Sequence, residues 1–156
     1  MPLLLQHVGM KEISLVGIAV LLMSCANSYR MYSGDRLPNN AVAILEQSGA
    51  GPAMVLSVDG KPYDGALTWA GVGKHRWELL PGVHRVEVDM RAFAGESHSG
   101  GPQTIAFTAK AGQVYEVSYR QTSATRSGFL SESFHWAPAI WPQHPVTDAD
   151  RIKPKK

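Results

Sequence analysis

Around His84 the chain alternates strictly: His84, Val86, Val88, Met90 and Ala92 fall on one side of an extended backbone, and Arg85, Glu87, Asp89 and Arg91 on the other. Successive side chains of a β-strand point to opposite faces, so this run has one apolar and one charged side and must lay the first against a core. A helix would scatter the same residues around its circumference. The pattern commits residues 84–92 to a half-buried antiparallel strand, and the rest of the chain has to supply its partners.

Further short runs with strand character surround it. Residues 41–45 and 54–58 are apolar, the second stopped by Asp59-Gly60, a dipeptide that provides the positive φ of a tight turn. Residues 76–80 alternate before Pro81-Gly82. Ile105, Phe107 and Ala109 oppose Thr104, Ala106 and Thr108, and Tyr115, Val117 and Tyr119 oppose Glu116, Ser118 and Arg120. Residues 134–141 are apolar but broken by Pro138, which suits an edge strand or a docked extended arm. Residues 63–74 and 94–102, rich in glycine, read as loops. No stretch beyond the first 24 residues repeats at 3.6 over three turns, so the expected fold is mainly β, a single antiparallel β-sandwich of about seven short strands over residues 39–142.

The pattern also predicts side-chain placement. Trp77, Leu79, Val86, Val88, Ile105, Phe107, Tyr115 and Val117 should point inward, while Glu78, Arg85, Glu87, Asp89 and Glu116 should stay wet. If Pro81-Gly82 is a two-residue hairpin turn, Glu78 lies opposite Arg85, Arg76 opposite Glu87 and Trp77 opposite Val86. If it is an arch to a second sheet, those pairs separate.

The start of the chain has a different character. Residues 13–23 form an apolar run after Lys11 that is too short to cross a hydrocarbon core of about 30 Å as a helix, and it fits the apolar region of a signal peptide, translated from Met1 or Met10. The only cysteine, Cys25, closes the run, so an intramolecular disulfide and a multi-cysteine metal site are excluded. Leu22-Met23-Ser24-Cys25 resembles the lipobox of bacterial lipoproteins. That resemblance implies cleavage before Cys25, lipid attachment to it, and stable anchoring by two or more acyl chains. With Ala26 after the cysteine, it implies an outer-membrane protein facing the periplasm. The expected organisation is a signal-peptide helix over 1–24, the lipidated cysteine and a polar tether over 25–38, the sandwich over 39–142, and a basic disordered tail over 143–156. Tyr29, Met31 and Tyr32 give the tether three large side chains able to dock on the domain.

A second resemblance rests on Val58-Asp59-Gly60 followed by Trp77-Glu78-Leu79-Leu80-Pro81-Gly82-Val83-His84-Arg85-Val86. It is similar to PEGA-like and transthyretin-like small bacterial β-sandwich modules, in which a strand ending in Asp-Gly precedes a leucine-proline-glycine corner and an alternating strand. These residues make turns and core rather than a site.

Little in the chain carries chemistry. Six histidines show no metal-ligand spacing. Gly71-Val72-Gly73-Lys74-His75 lacks the glycine spacing and the hydroxyl residue of a phosphate loop, and no Gly-x-Ser-x-Gly elbow is present. No cofactor, no metal and no catalytic set is expected. A formal charge of +2, scattered except at the tail, does not mark a nucleic-acid binder. The candidate binding loop comprises Tyr63, Trp69, Lys74 and His75, with Trp136 and Trp141 as further aromatics for a sugar or peptide face. The expected partners are the membrane, through the lipid, and an envelope protein or cell-wall polymer. The alternative is a small periplasmic hydrolase gathering two of His75, His98 and His135 with a carboxylate.

Overall fold

A computed structural model of the chain describes residues 27–49, 51–63, 74–90, 96–99, 101–127 and 131–151. Cys25 with the whole leader, Trp69 with the rest of 64–73, and residues 152–156 lie outside the described residues.

Ten strands are described: β1 (Asn27–Arg30), β2 (Ala43–Ser48), β3 (Ala53–Val58), β4 (Lys61–Pro62), β5 (Lys74–Leu79), β6 (Gly82–Met90), β7 (Glu96–Ser99), β8 (Gln103–Ala109), β9 (Gln113–Ser127) and β10 (Ser131–Pro145). They form two sheets in a sandwich. Sheet A has the order β1-β5-β2-β9-β10-β7 and sheet B the order β4-β3-β6-β8. The expected β-sandwich is therefore present, but not as a wholly antiparallel one of about seven strands. Three neighbouring pairs, β1 with β5, β2 with β9 and β7 with β10, run parallel.

The alternating strand has the predicted register. Val86, Val88 and Met90 of β6 are buried, and Val55 and Gln103 flank Val88 from β3 and β8. Against them sheet A sends Ala43, Leu45, Trp77, Leu79, Tyr115, Val117 and Trp136, so the core is a layer of alternate residues from both sheets. Ile105 and Phe107 are half-buried at its rim, where β8 ends sheet B.

Two glycine turns set the topology. Asp59 and Gly60 have φ of 51° and 73°, so both central residues of the β3–β4 connection are left-handed, as a two-residue hairpin of this twist requires. Pro81-Gly82 is the arch rather than the hairpin. β5 belongs to sheet A and β6 to sheet B, with Gly82 at φ 144°, a conformation that side chains disfavour. The pairing of Glu78 with Arg85 and of Arg76 with Glu87 is accordingly replaced. Trp77 and Val86 still belong to one core cluster, from opposite sheets instead of across a ladder.

Three boundaries differ from expectation. The polar segment after Cys25 is a strand from Asn27, and Tyr29 and Met31 pack on the core, so the docking of its large side chains prevails over a free tether. Within the expected loop 94–102, Glu96–Ser99 pairs with β10. The expected disordered tail is structured to Arg151: β10 runs to Pro145, and residues 147–151 close in a capped turn. Pro138 sits where β10 has passed the end of β7, so its missing N–H costs no ladder bond on that side.

Candidate functional site

The outward face of β5 is expected to be wet, and it is where the buried charged residues among those described gather: Glu46, Glu78, Asp150 and Arg151. Arg151 reaches Glu78 through Nε to Oε1 at 3.0 Å and Nη2 to Oε2 at 3.2 Å, with side-chain exposures of 2% and 1%. Its Nη1 donates to Leu37 O at 2.7 Å and Asn39 Oδ1 at 2.8 Å, and Tyr32 Oη donates to Glu78 Oε2. One guanidinium thus joins the C-terminal turn, β5 and the segment that follows β1. Beside it Glu46 accepts from Lys74 and from Arg76 Nε, and Arg76 donates to Ala149 O and faces Asp150 at 3.6 Å. Ile44 and Val114, on this same side of sheet A, are fully or almost fully buried beneath the network.

Burial alone would push the Asp150 carboxyl up. The hydroxyl and backbone N–H of Thr147, with His144 and Arg76 nearby, outweigh it and hold Asp150 below its ordinary value of 3.8. Asp59 is lowered in the same way: against burial it accepts from Arg85 N and His84 Nδ1, with Lys61 close by. A depressed carboxylate adds stability above its unfolded pKa and loses it as pH falls through the folded one. Asp150→Asn should therefore flatten, without abolishing, the fall of the thermal midpoint below about pH 4. An unchanged acid limb would show that the capped turn is not formed in solution.

The predicted binding residues are brought together only in part. Tyr63 Oη and His75 Nδ1 are 2.7 Å apart, and the Tyr63 ring packs edge-on against Tyr29 and Trp77. Tyr63 and His75 therefore belong to the rim of the core. Lys74 is exposed and held to Glu46. Trp136 is buried at 3% exposure while Trp141 is 47% exposed. Five residues apart on one regular strand, they fall on opposite faces and cannot line one surface. Trp141 stands on the outward face of sheet A with Glu116 directly opposite, and the Arg120 guanidinium lies 5.8 Å from its ring. That distance is within cation–π range, and about half of the Trp141 surface stays open. Trp141 was legible as an aromatic; its orientation follows only from the register.

His75 lies apart from His98 and His135, which sit on the paired strands β7 and β10. His75 on β5 is separated by β2 and β9 from His135 on β10 and His98 on β7, about 14 Å or more at the spacing of neighbouring strands. His84 Nδ1 meets Asp59 and its Nε2 meets Leu80 O, so it ties the arch to the β3–β4 turn. Among the described residues no group of three His, Cys, Asp or Glu is placed to hold a metal, and no helix is long and apolar enough to cross a membrane. Comparison with protein families, with curated proteins and with solved structures finds no match to the chain.

Proposed function

We propose that this protein is a lipid-anchored component of the bacterial cell envelope, held at the outer membrane facing the periplasm, with a binding or structural role and no catalysis. The observation that carries the reading is Leu22-Met23-Ser24-Cys25 at the end of an export-length apolar run. The position of β1 adds to it. Asn27 is already in sheet A, and the two residues from Cys25 to Asn27 span at most about 7 Å. A lipid on Cys25 would hold the sandwich against the membrane surface rather than at the end of a long tether. The partner is an envelope protein or a cell-wall polymer. Trp141 with Arg120 and Glu116 is its contact, since an exposed indole flanked by a donor and an acceptor offers stacking area with polar direction.

Metabolic labelling with a fatty-acid probe tests the anchor. The wild-type chain should take up label and Cys25→Ser should not; equal labelling of both sinks the anchor. Capture from envelope extracts tests the surface. Trp141→Ala should lose at least about tenfold of the bound partner while its melting temperature stays within a degree or two, as expected for loss of an aromatic hot spot. Retention of the partner by Trp141→Ala would remove this surface from the proposal.

A further inference from the structure

We infer that β8 is an open sheet edge to which the β8 strand of a second copy of this chain adds, joining two four-stranded sheets into one antiparallel sheet of eight. Proteins guard sheet edges with short strands, proline or charge, because an unguarded edge offers unpaired N–H and C=O groups to any other strand. Three of the four outermost strands here are guarded. β1 and β7 are four residues long, and β4 has two residues, one of them Pro62. The flank of β10 beyond β7 carries Pro138, Pro142 and Pro145.

β8 has none of these devices. It is seven residues long, Gln-Thr-Ile-Ala-Phe-Thr-Ala, with no proline and no charge, bounded by Pro102 and Lys110. Every residue of it is in register with β6 on one side, from Gly82 opposite Ala109 to Val88 opposite Gln103. On the other side no described strand pairs with it. Two side chains reach its ends: Gln103 turns away to Trp136 O, and the Tyr115 hydroxyl touches Thr108 O and Lys110 N. Among the described residues nothing else is bonded along the middle of the strand, which is left to form a ladder.

The composition of the strand selects a copy of itself. Placed antiparallel about a two-fold axis at Ala106, β8 sets Ile105 against Phe107 on the core side and Thr104 against Thr108 on the outer side. Ala106 meets its own copy at the axis. Ile105 and Phe107 are half-buried members of the core rim, and the second copy covers them with the same two residues. Threonine opposite threonine and apolar opposite apolar are favourable cross-strand pairs. No like charges are brought together, and an uncharged strand has nothing with which to prefer an acidic or basic partner. The contact is isologous, so it closes at two copies and does not propagate.

A single strand pair is smaller than a standard interface of roughly 1,200–2,000 Å², so the experiment traps the contact rather than relying on its surviving dilution. The full chain carrying Ala106→Cys is treated with a short bismaleimide in the cells that produce it. A cross-linked band at twice the chain mass is expected. The wild type, whose Cys25 reports the background, and Val83→Cys should give none. Val83 is 71% exposed on the outer face of the same sheet but lies one strand in from the edge. Absence of the Ala106→Cys dimer, equal cross-linking through Val83→Cys or the wild type, or a product of some other mass that reveals an unlike partner would each overturn the proposal.

Discussion

Replacing Arg151 by alanine should destabilise the protein by about 3–5 kcal/mol, the usual cost of removing one partner of a buried ion pair. Glu78 would lose the guanidinium that neutralises it at 1% exposure, and Leu37 O and Asn39 Oδ1 would lose their donor. Against a typical total of about 5–15 kcal/mol, that is a large fraction. The double variant Arg151→Met with Glu78→Leu should recover much of the loss, because a buried pair replaced by apolar side chains of similar volume is often neutral. Denaturant unfolding of the single and double variants measures both. A loss below about 1 kcal/mol for Arg151→Ala would mean that Arg151 belongs to a solvated tail after all, in the range of an exposed ion pair.

That clasp shows where sequence reading stopped. A period of two tells which side chains share a face; it does not tell whether the second face is wet. Arg76 and Glu78 do point away from the core, as the alternation requires. Their face is covered by residues 31–40 and 147–151, which come from the two ends of the described chain and carry no signal linking them to β5. Strand order was hidden for the same reason. Pro81-Gly82 was readable as a turn, but whether a proline-glycine turn folds a hairpin or crosses between sheets depends on packing that neither residue encodes. β1 and β7, Asn-Ser-Tyr-Arg and Glu-Ser-His-Ser, have no apolar alternation. They are strands because β5 and β10 present them an edge.

The candidate site was legible to a smaller degree. The sequence offers its tryptophans as a binding face, yet nothing local distinguishes Trp136, which fills the core, from Trp141, which faces water. Tyr63 and His75, expected in one binding loop, contact each other, and Tyr63 packs against Trp77 at the rim of the core. The register of the core was legible. Each of the eight residues expected inward is buried or packs against the buried cluster, because that expectation needed only register and not topology.

Register is also what the most damaging single substitution tests. Val88→Asp should leave no stable folded protein near neutral pH, while Asp89→Asn, one residue along, should stay within about 0.5 kcal/mol of wild type. Val88 is fully buried between Val55 and the start of β8, and no cation belongs to the core cluster around it. An aspartate there must stay charged without a partner, at several kcal/mol, or take up a proton and remain an ill-fitting polar group. Asp89 instead holds its Oδ1 2.8 Å from the N–H of Met90, a bond that an asparagine oxygen can keep. The sign of the pH effect separates the two parts of the Val88→Asp penalty. Acidification towards about pH 5 neutralises a buried carboxyl whose pKa is raised, so part of the lost stability should return as pH falls, opposite to the acid limb carried by Asp59 and Asp150. Quenching of Trp77 and Trp136 fluorescence on unfolding gives the readout, both indoles being buried at 3% exposure. A variant ranking reversed between positions 88 and 89 would place the whole strand one residue out of register, since a slip of one exchanges every core side chain of β6 for a charged one.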